Sequence, residues 1–418
     1  MDINNHPCFN SEVRHTTGRI HLPVAAKCNV QCNFCNRKYD CANENRPGVS
    51  TAILTPLQAE KYLSNALELV PNIAVVGIAG PGDPFANGEQ TMETLEHVNA
   101  DYPDKLLCLS SNGLYLPEYI PRLAKLNVSH VTVTVNAVDP KIGAEIYEWI
   151  YYNKKTYVGA DGAQILLDRQ TEAIRLLKQY GIIVKINTVV IPRVNEFHVE
   201  NISRYVATLG ADIQNCIPLI PVEGTPFAFM ESPSARMMRN VRAKASVYIK
   251  QMSHCSRCRA DAVGLLGQQN DEKVVSAMRY AKIKPTFTKR PYIAVASSNG
   301  KSVDLHLGET NTLLIYGKRN GKIELIEKRQ IPISNDNRWD KLANVINDCD
   351  ALLVNGLGRA PYEFLSSKGI YVEAVNCFIS VAVQTLFAGK ALPSEVLRLA
   401  GQCGGACSGA YNSNNSCG

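Results

Sequence analysis

Arg19-Ile-His-Leu-Pro-Val-Ala-Ala-Lys-Cys28-Asn-Val-Gln-Cys32-Asn-Phe-Cys35 decides how the rest of the chain reads. Residues 19–25 have β character, and the loop that follows carries three cysteines in a C-x3-C-x2-C pattern. Most iron–sulfur sites use four thiolates, one per iron. Three in one short loop leave an iron without a protein ligand, open to a small molecule. Two other readings of the triplet are a zinc ribbon with a distant fourth ligand and a four-cysteine cluster completed by Cys41. Zinc modules normally come as paired C-x-x-C knuckles, which this is not.

Outward from that loop, short β-like runs alternate with amphipathic helical ones as far as about residue 250. The strands are expected at residues 19–25, 73–80, 106–112, 130–137, 182–192 and 212–221. Helices are expected at 56–70, 117–126, 163–180 and 196–209, with a closing helix at 234–249. Six successive βα units imply a parallel sheet with right-handed crossovers, and a partial TIM-type (β/α) barrel fits better than an open sheet. Chemistry in such a barrel sits on the loops after the strands. The polar features fall there: the cysteine loop, then Gly80-Pro81-Gly82-Asp83-Pro84, then Ser110-Ser111-Asn112-Gly113, with Asn136 ending the fourth strand.

A second βα pattern starts at Tyr292. It has strands near 293–297, 312–318, 322–330, 351–355 and 371–374, and helices near 339–347, 361–367 and 379–388, enough for a compact α/β domain. The final residues, GQCGGACSGAYNSNNSCG, are too polar and glycine-rich to pack. The balance of 45% hydrophobic and 20% charged residues is that of a globular protein. No apolar run is long enough to cross a bilayer, and the N-terminus does not read as a secretory signal, so a cytoplasmic protein is expected. Fourteen cysteines in a reducing compartment point to metal sites before disulfides. Between Arg236 and Arg290 there are 13 Lys/Arg against 3 Asp/Glu. That segment is either a solvated helical surface or a wall for an anion such as an iron–sulfur cluster or a nucleic acid. No aromatic-interleaved pattern accompanies the charge, which counts against RNA.

The triplet after the first strand of a βα barrel resembles the radical S-adenosylmethionine (SAM) superfamily. In that family the incompletely ligated iron of a [4Fe-4S] cluster binds the amino and carboxylate groups of SAM. Cys28, Cys32 and Cys35 match the motif, and Phe34 matches the aromatic usual before the third cysteine. Residues 79–84 lie where the family places a SAM-binding loop. The resemblance implies SAM contacts for Gly80, Gly82, Asp83, Ser111, Asn112 and Asn136.

A narrower resemblance runs over nearly all of residues 6–260. His21-Leu-Pro-Val-Ala-Ala-Lys-Cys28, the following Cys41 and AGPGDPFAN at 79–87 are similar to the NifB family of nitrogenase cofactor maturases. Residues 291–390 resemble the NifX/NafY-type cofactor-binding domain, an RNase H-like fold. The family implies insertion of a SAM-derived carbide and fusion of two [4Fe-4S] substrate clusters into an eight-iron precursor. His21, Cys41 and Cys108 would then hold one substrate cluster, and Cys8, Cys255 and Cys258 the other. His306 corresponds to a histidine offered to the product cofactor, although Leu307 stands where an aromatic is usual.

The expected organisation is a cluster-ligating segment at 1–18, a barrel at 19–250 and a basic cysteine-containing extension at 251–289. The cofactor-binding domain would span 290–392, with a tail at 393–418. The expected partners are a reductant such as ferredoxin or flavodoxin, iron–sulfur cluster donors, and nitrogenase cofactor scaffold or carrier proteins. From the residues alone, Cys108 and His21 would be ordinary core residues, Cys216, Cys349 and Cys377 core cysteines, and the Cys403/Cys407/Cys417 tail incidental. Two further readings stay open: a radical SAM enzyme with auxiliary clusters that modifies RNA or a peptide, and a non-catalytic cluster carrier.

Overall fold

Runs of Val, Ile and Leu pair in parallel, in chain order, through helical crossovers. A computed structural model describes residues 5–36, 50, 52–70, 72–252, 254–255, 259–267, 272–331, 338–390, 392–393 and 396–398. The chain divides into two units, Met1–Val275 and Ser276–Gly418. In the first, β1 (Gly18–His21), β2 (Ile73–Ile78), β3 (Leu106–Ser111), β4 (Val128–Thr134), β5 (Ile183–Val190) and β6 (Ile213–Pro218) form successive parallel neighbours. A two-residue strand, β7 (Val263–Gly264), runs antiparallel on the outer side of β1. Strand order that follows chain order is what right-handed βαβ crossovers produce. Since β1 and β6 are not neighbours, the sheet is a partial barrel.

The crossover helices start where their caps dictate. Thr55 and Gln58 form a reciprocal capping box for Pro56–Leu69, with Pro56 in the first turn. Ser234 accepts from the Met237 N–H to start Ala235–Ala245. The helix Gly88–Asp101 is an element the sequence reading did not anticipate. The parallel strands are shorter than the runs that suggested them. The first ends at His21, before Pro23, and the fifth at Val190, before Pro192.

One three-stranded sheet was not foreseen either. Tyr147–Tyr152 and Lys155–Tyr157 form a hairpin, turned by Asn153 and Lys154 at φ 49° and 63°. Left-handed residues at both turn positions suit a two-residue hairpin. This hairpin pairs antiparallel with Val30–Cys32 and so fixes the cysteine loop, with Cys32 opposite Tyr147.

In the second unit, β8 (Tyr292–Ala296) pairs antiparallel with β9 (Thr312–Arg319), which pairs antiparallel with β10 (Lys322–Gln330). On the other side of β8, β11 (Cys349–Val354) and β12 (Tyr371–Val375) add in parallel, and β13 (Leu397–Arg398) closes the order antiparallel. Alternate residues of β8 enter two different apolar clusters. Ala294 and Ala296 pack with Leu352, Val354 and Leu365, while Ile293 and Val295 pack with Leu353, Val383 and Leu386. Both faces of that sheet are therefore covered and apolar. Cys216 and Cys349 are buried core residues, whereas Cys377 is only half-buried against the second cluster. Among the described residues, no helix is long and apolar enough to cross a membrane.

Candidate active site

Two loops meet at the C-terminal end of β1 and β2. The Gly82 N–H donates to the Ala25 carbonyl and the Asp83 N–H to the Lys27 carbonyl, both at 2.7 Å, and Pro81 bridges to Ala25. Contact is so close that a Cβ at Gly82 would stand 1.9 Å from the Lys27 carbonyl oxygen, and only glycine fits. The Asp83 carboxylate does not face solvent. It is 3% exposed and accepts from the Ser111 hydroxyl at 2.9 Å, the Asn112 N–H and the Phe85 N–H. Burial pushes its pKa up, and those three donors oppose the shift. Asp83 and Ser111 thus tie the second and third strand loops together.

Asn112 continues that brace to the cysteines. Its Nδ2 donates to Asn29 Oδ1 at 2.7 Å and lies 3.8 Å from Cys28 Sγ. Gln170 in turn donates to the Asn112 and Thr134 carbonyls. Asn136, wholly buried, accepts from the Val189 N–H and, through its carbonyl, from Asn195. On the cysteine loop, the Cys35 N–H donates to the Cys32 carbonyl, and the Gln31 side chain donates to the carbonyls of Cys32 and Cys35. Cys28, Cys32 and Phe34 pack partly against Tyr147, Leu114 and Phe227.

These residues fit a [4Fe-4S] cluster. Three half-buried thiols stand on one loop, an amide N–H is aimed at the Cys28 sulfur, and Asn29 Nδ2 is buried with no acceptor among the described residues. Among the described residues, no three His, Cys, Asp or Glu side chains converge on a single metal ion. A cluster ligated one thiolate per iron asks instead for ligands spread over several metal centres.

A second group of side chains able to ligate metal lies inside the barrel. His21, Gly77, Cys108 and His130 pair in one register row across β1 to β4. A Cβ at Gly77 would meet Cys108 Sγ at 2.8 Å and His21 Cδ2 at 3.1 Å, so the imidazole and the thiol close over that glycine. Cys108 is the third residue of β3 and pairs with Gly77. His21 Nδ1 lies 3.0 Å from the Arg259 carbonyl, so as the donor of that bond it leaves the Nε2 lone pair able to ligate. A buried ion pair, Arg259 to Asp261 at 2.7 Å, holds that carbonyl's segment in place. Burial, with help from Arg19, keeps the His21 pKa down to about 4.

The N-terminal segment comes to the same place. Its thiol, Cys8, is close enough to add to the burial that pushes Cys108 up to about 12. The Pro7 carbonyl lies 3.0 Å from His254 Nε2, which brings the Cys8 segment beside Cys255. Cys41 and Cys258 lie outside the described residues, as does the cysteine-bearing tail. In the second unit, His306 Nδ1 accepts from the Gly308 N–H at 3.1 Å and its ring packs on Gly356.

Sequence reasoning passed over His6, His130 and Lys185, all buried near Cys108. The signal was available in β4, VSHVTVT, and β5, IVKINTVV, where an imidazole and a lysine interrupt otherwise apolar strands.

Comparison with known proteins gives the family. Residues 22–206 match the radical SAM superfamily, and residues 289–389 match the dinitrogenase iron-molybdenum cofactor family. A radical SAM methyltransferase from Sphaerobacter thermophilus is similar in structure, with a TM-score of 0.43 and 19% identity, covering 60% of this chain and 70% of that one. The protein is a radical SAM enzyme built on a partial (β/α) barrel, a class that implies a [4Fe-4S] cluster and SAM.

Its relatives narrow that class. The FeMo cofactor biosynthesis protein NifB of Chlorobaculum tepidum is 47% identical, covering 97% of this chain and 98% of its own. That of Klebsiella pneumoniae is 37% identical, covering 87% and 86%. The chain belongs to the NifB family of FeMo cofactor biosynthesis proteins.

Proposed function

We propose that this enzyme inserts a SAM-derived carbide and fuses two [4Fe-4S] substrate clusters into the eight-iron precursor of the nitrogenase cofactor. The observation that carries the reading is the pairing of the triplet loop with a separate His21–Cys108 row inside the same barrel. Cys28, Cys32 and Cys35 would hold the SAM-binding cluster, which with SAM bound supplies an electron to the sulfonium and so a carbon-centred radical. Gly80 and Gly82 let the second loop approach the cysteine loop, where SAM would lie. Asp83, Ser111 and Asn112 hold the two loops rigid, and Asn136 fixes the end of the fourth strand against β5.

His21 and Cys108, with Cys41, would take one substrate cluster; Cys8, Cys255 and Cys258 would take the other. A neutral imidazole leaves iron more readily than a thiolate, which suits a cluster that must move. His306 would meet the product in the second unit. Ferredoxin or flavodoxin as reductant, cluster donors and a cofactor carrier are the partners this chemistry requires.

Anaerobic incubation with SAM, dithionite and reconstituted clusters tests the reading. S-adenosylhomocysteine and 5′-deoxyadenosine should both form with no organic substrate added. Neither product would point to a cluster carrier. Both products only in the presence of RNA or a peptide would point to a modifying enzyme.

A further inference from the structure

The barrel interior beside Cys108 carries a cation with no counter-charge among the described residues. Lys185 on β5 is 9% exposed and forms no ion pair among the described residues. It pairs across the sheet with Thr132, two residues along from the His130–Ile183 pair and so on the same face, and its ammonium stands 5.3 Å over the Phe9 ring. His6, His21, His130 and Cys108 lie close enough to feel its charge, and none of them is a carboxylate. Burying an ammonium among neutral groups is costly unless an anion joins it.

Two buried imidazoles give an independent sign that the space expects a polar occupant. The rings of His6 and His130 are 4.5 Å apart, and each has an Nε2 with no hydrogen-bond partner among the described residues. They are 2% and 1% exposed, so water does not satisfy them from outside. Their proton positions differ. His6 Nδ1 accepts from the Cys8 N–H, so its Nε2 carries the hydrogen and is a donor. With the Ser129 hydroxyl turned to the Leu107 carbonyl 3.2 Å away, its 2.7 Å contact with His130 accepts from Nδ1–H. His130 Nε2 is then a bare lone pair. One donor, one lone pair and one cation face the same interior, next to the row that holds His21 and Cys108.

We propose that Lys185, flanked by His6 and His130, is the counter-charge of the substrate-cluster site, set against the sulfide face of the cluster that His21 and Cys108 ligate. This rests on the function proposed above. A thiolate-ligated iron–sulfur cluster is an anion whose sulfides accept hydrogen bonds and whose irons accept lone pairs. His6 offers the first, His130 the second, and Lys185 offsets the net charge. As a positioning residue, Lys185 acts on cluster retention and on the cluster's potential, because a nearby positive charge favours the more negative, reduced state.

The full-length protein is reconstituted anaerobically with ferrous iron and sulfide as wild type, Lys185→Met and Lys185→Arg. Two quantities are read: the rate of iron loss to a chelator, and the midpoint potential of the cluster signal that does not respond to SAM. Lys185→Met is expected to lose that iron about tenfold faster, the weight of roughly 1.4 kcal/mol, and to shift the signal to a more negative potential. Lys185→Arg should stay close to wild type. Unchanged retention and potential in Lys185→Met would overturn the proposal, as would equal loss in both variants, which would mean packing rather than charge. Hydrosulfide binding to the metal-free chain that depends on Lys185, with cluster retention indifferent to it, would also overturn it in favour of a free-anion site. If the wild type holds no cluster beyond the SAM-responsive one, the functional reading fails first and this inference falls with it.

Discussion

The two parallel-containing sheets of this chain differ most on their inner faces. In the second unit, β8 and β11 feed apolar clusters on both sides, with Ile293, Val295, Ala351 and Leu353 on one and Ala294, Leu352 and Val354 on the other. In the first unit the outer face is apolar apart from the hydrogen-bonded Thr188 and Gln214, but the inner one carries Arg19, His21, Cys108, His130, Lys185 and Asn215. Burying such groups costs free energy that Val or Leu would not. The first sheet gathers several of them on one face at a cost in stability that a site explains; the second buries one carboxylate, Glu373, which accepts from the Tyr371 hydroxyl.

The largest expected effect lies outside both sheets. Cys32→Ala removes one of three thiolates and should abolish SAM cleavage, read as loss of 5′-deoxyadenosine; residual product at the wild-type rate would separate the triplet from the chemistry. Next comes the inner face itself. Gly77→Val puts carbon where Cys108 Sγ and His21 already stand, and overpacking of this kind costs on the order of 1–3 kcal/mol. Iron bound in excess of the SAM-responsive cluster should fall with it. By contrast Leu352→Ala, in the scaffold sheet, should cost on the order of 2–5 kcal/mol of stability while iron content stays at the wild-type level. Iron loss in both would erase the distinction drawn here.

Acid should also tell the two units apart. In the metal-free chain, burial and the Lys185 charge hold His130 down to about 3, against 6.5 in its ordinary state. Between those values the unfolded chain binds a proton that the folded one refuses. The stability is therefore intact above about pH 6.5 and drains away as pH falls. On the order of 3 kcal/mol should be gone by pH 4 from this residue. The second unit has a single histidine, His306, and it is only half-buried. Denaturant unfolding at pH 7 and pH 4.5 should show the first unit weakening more; equal weakening would mean that the inner face titrates no differently from the scaffold. The smallest effect expected is that of deleting residues 291–418, which should leave SAM cleavage by the remaining chain unchanged.

Much of the architecture was legible because it rests on local pattern. The alternation of β-like runs with amphipathic helices located all six parallel strands to within a few residues, since a 2.0 or 3.6 period is written directly in the chain. The hairpin at Tyr147–Tyr152 was not legible: Asn153-Lys154 lacks the glycine that usually marks such a turn, and residues 140–157 carry no clean alternation. Asp83 and Ser111 read as ligand-facing because they sit in loops after strands, yet their polar atoms turn inward to each other.

By itself, the sequence determined the cysteine triplet and the glycine loop, because eight consecutive residues place three thiols together whatever the rest of the chain does. Tertiary structure alone decided that His21, Cys108, His130 and Lys185 share one interior, with Cys8 and the Arg259 carbonyl brought to it from opposite ends of the unit. The reason is register. Which face a strand residue occupies depends on how its strand pairs with the next, and a slip of one residue would send every one of these side chains to the outside.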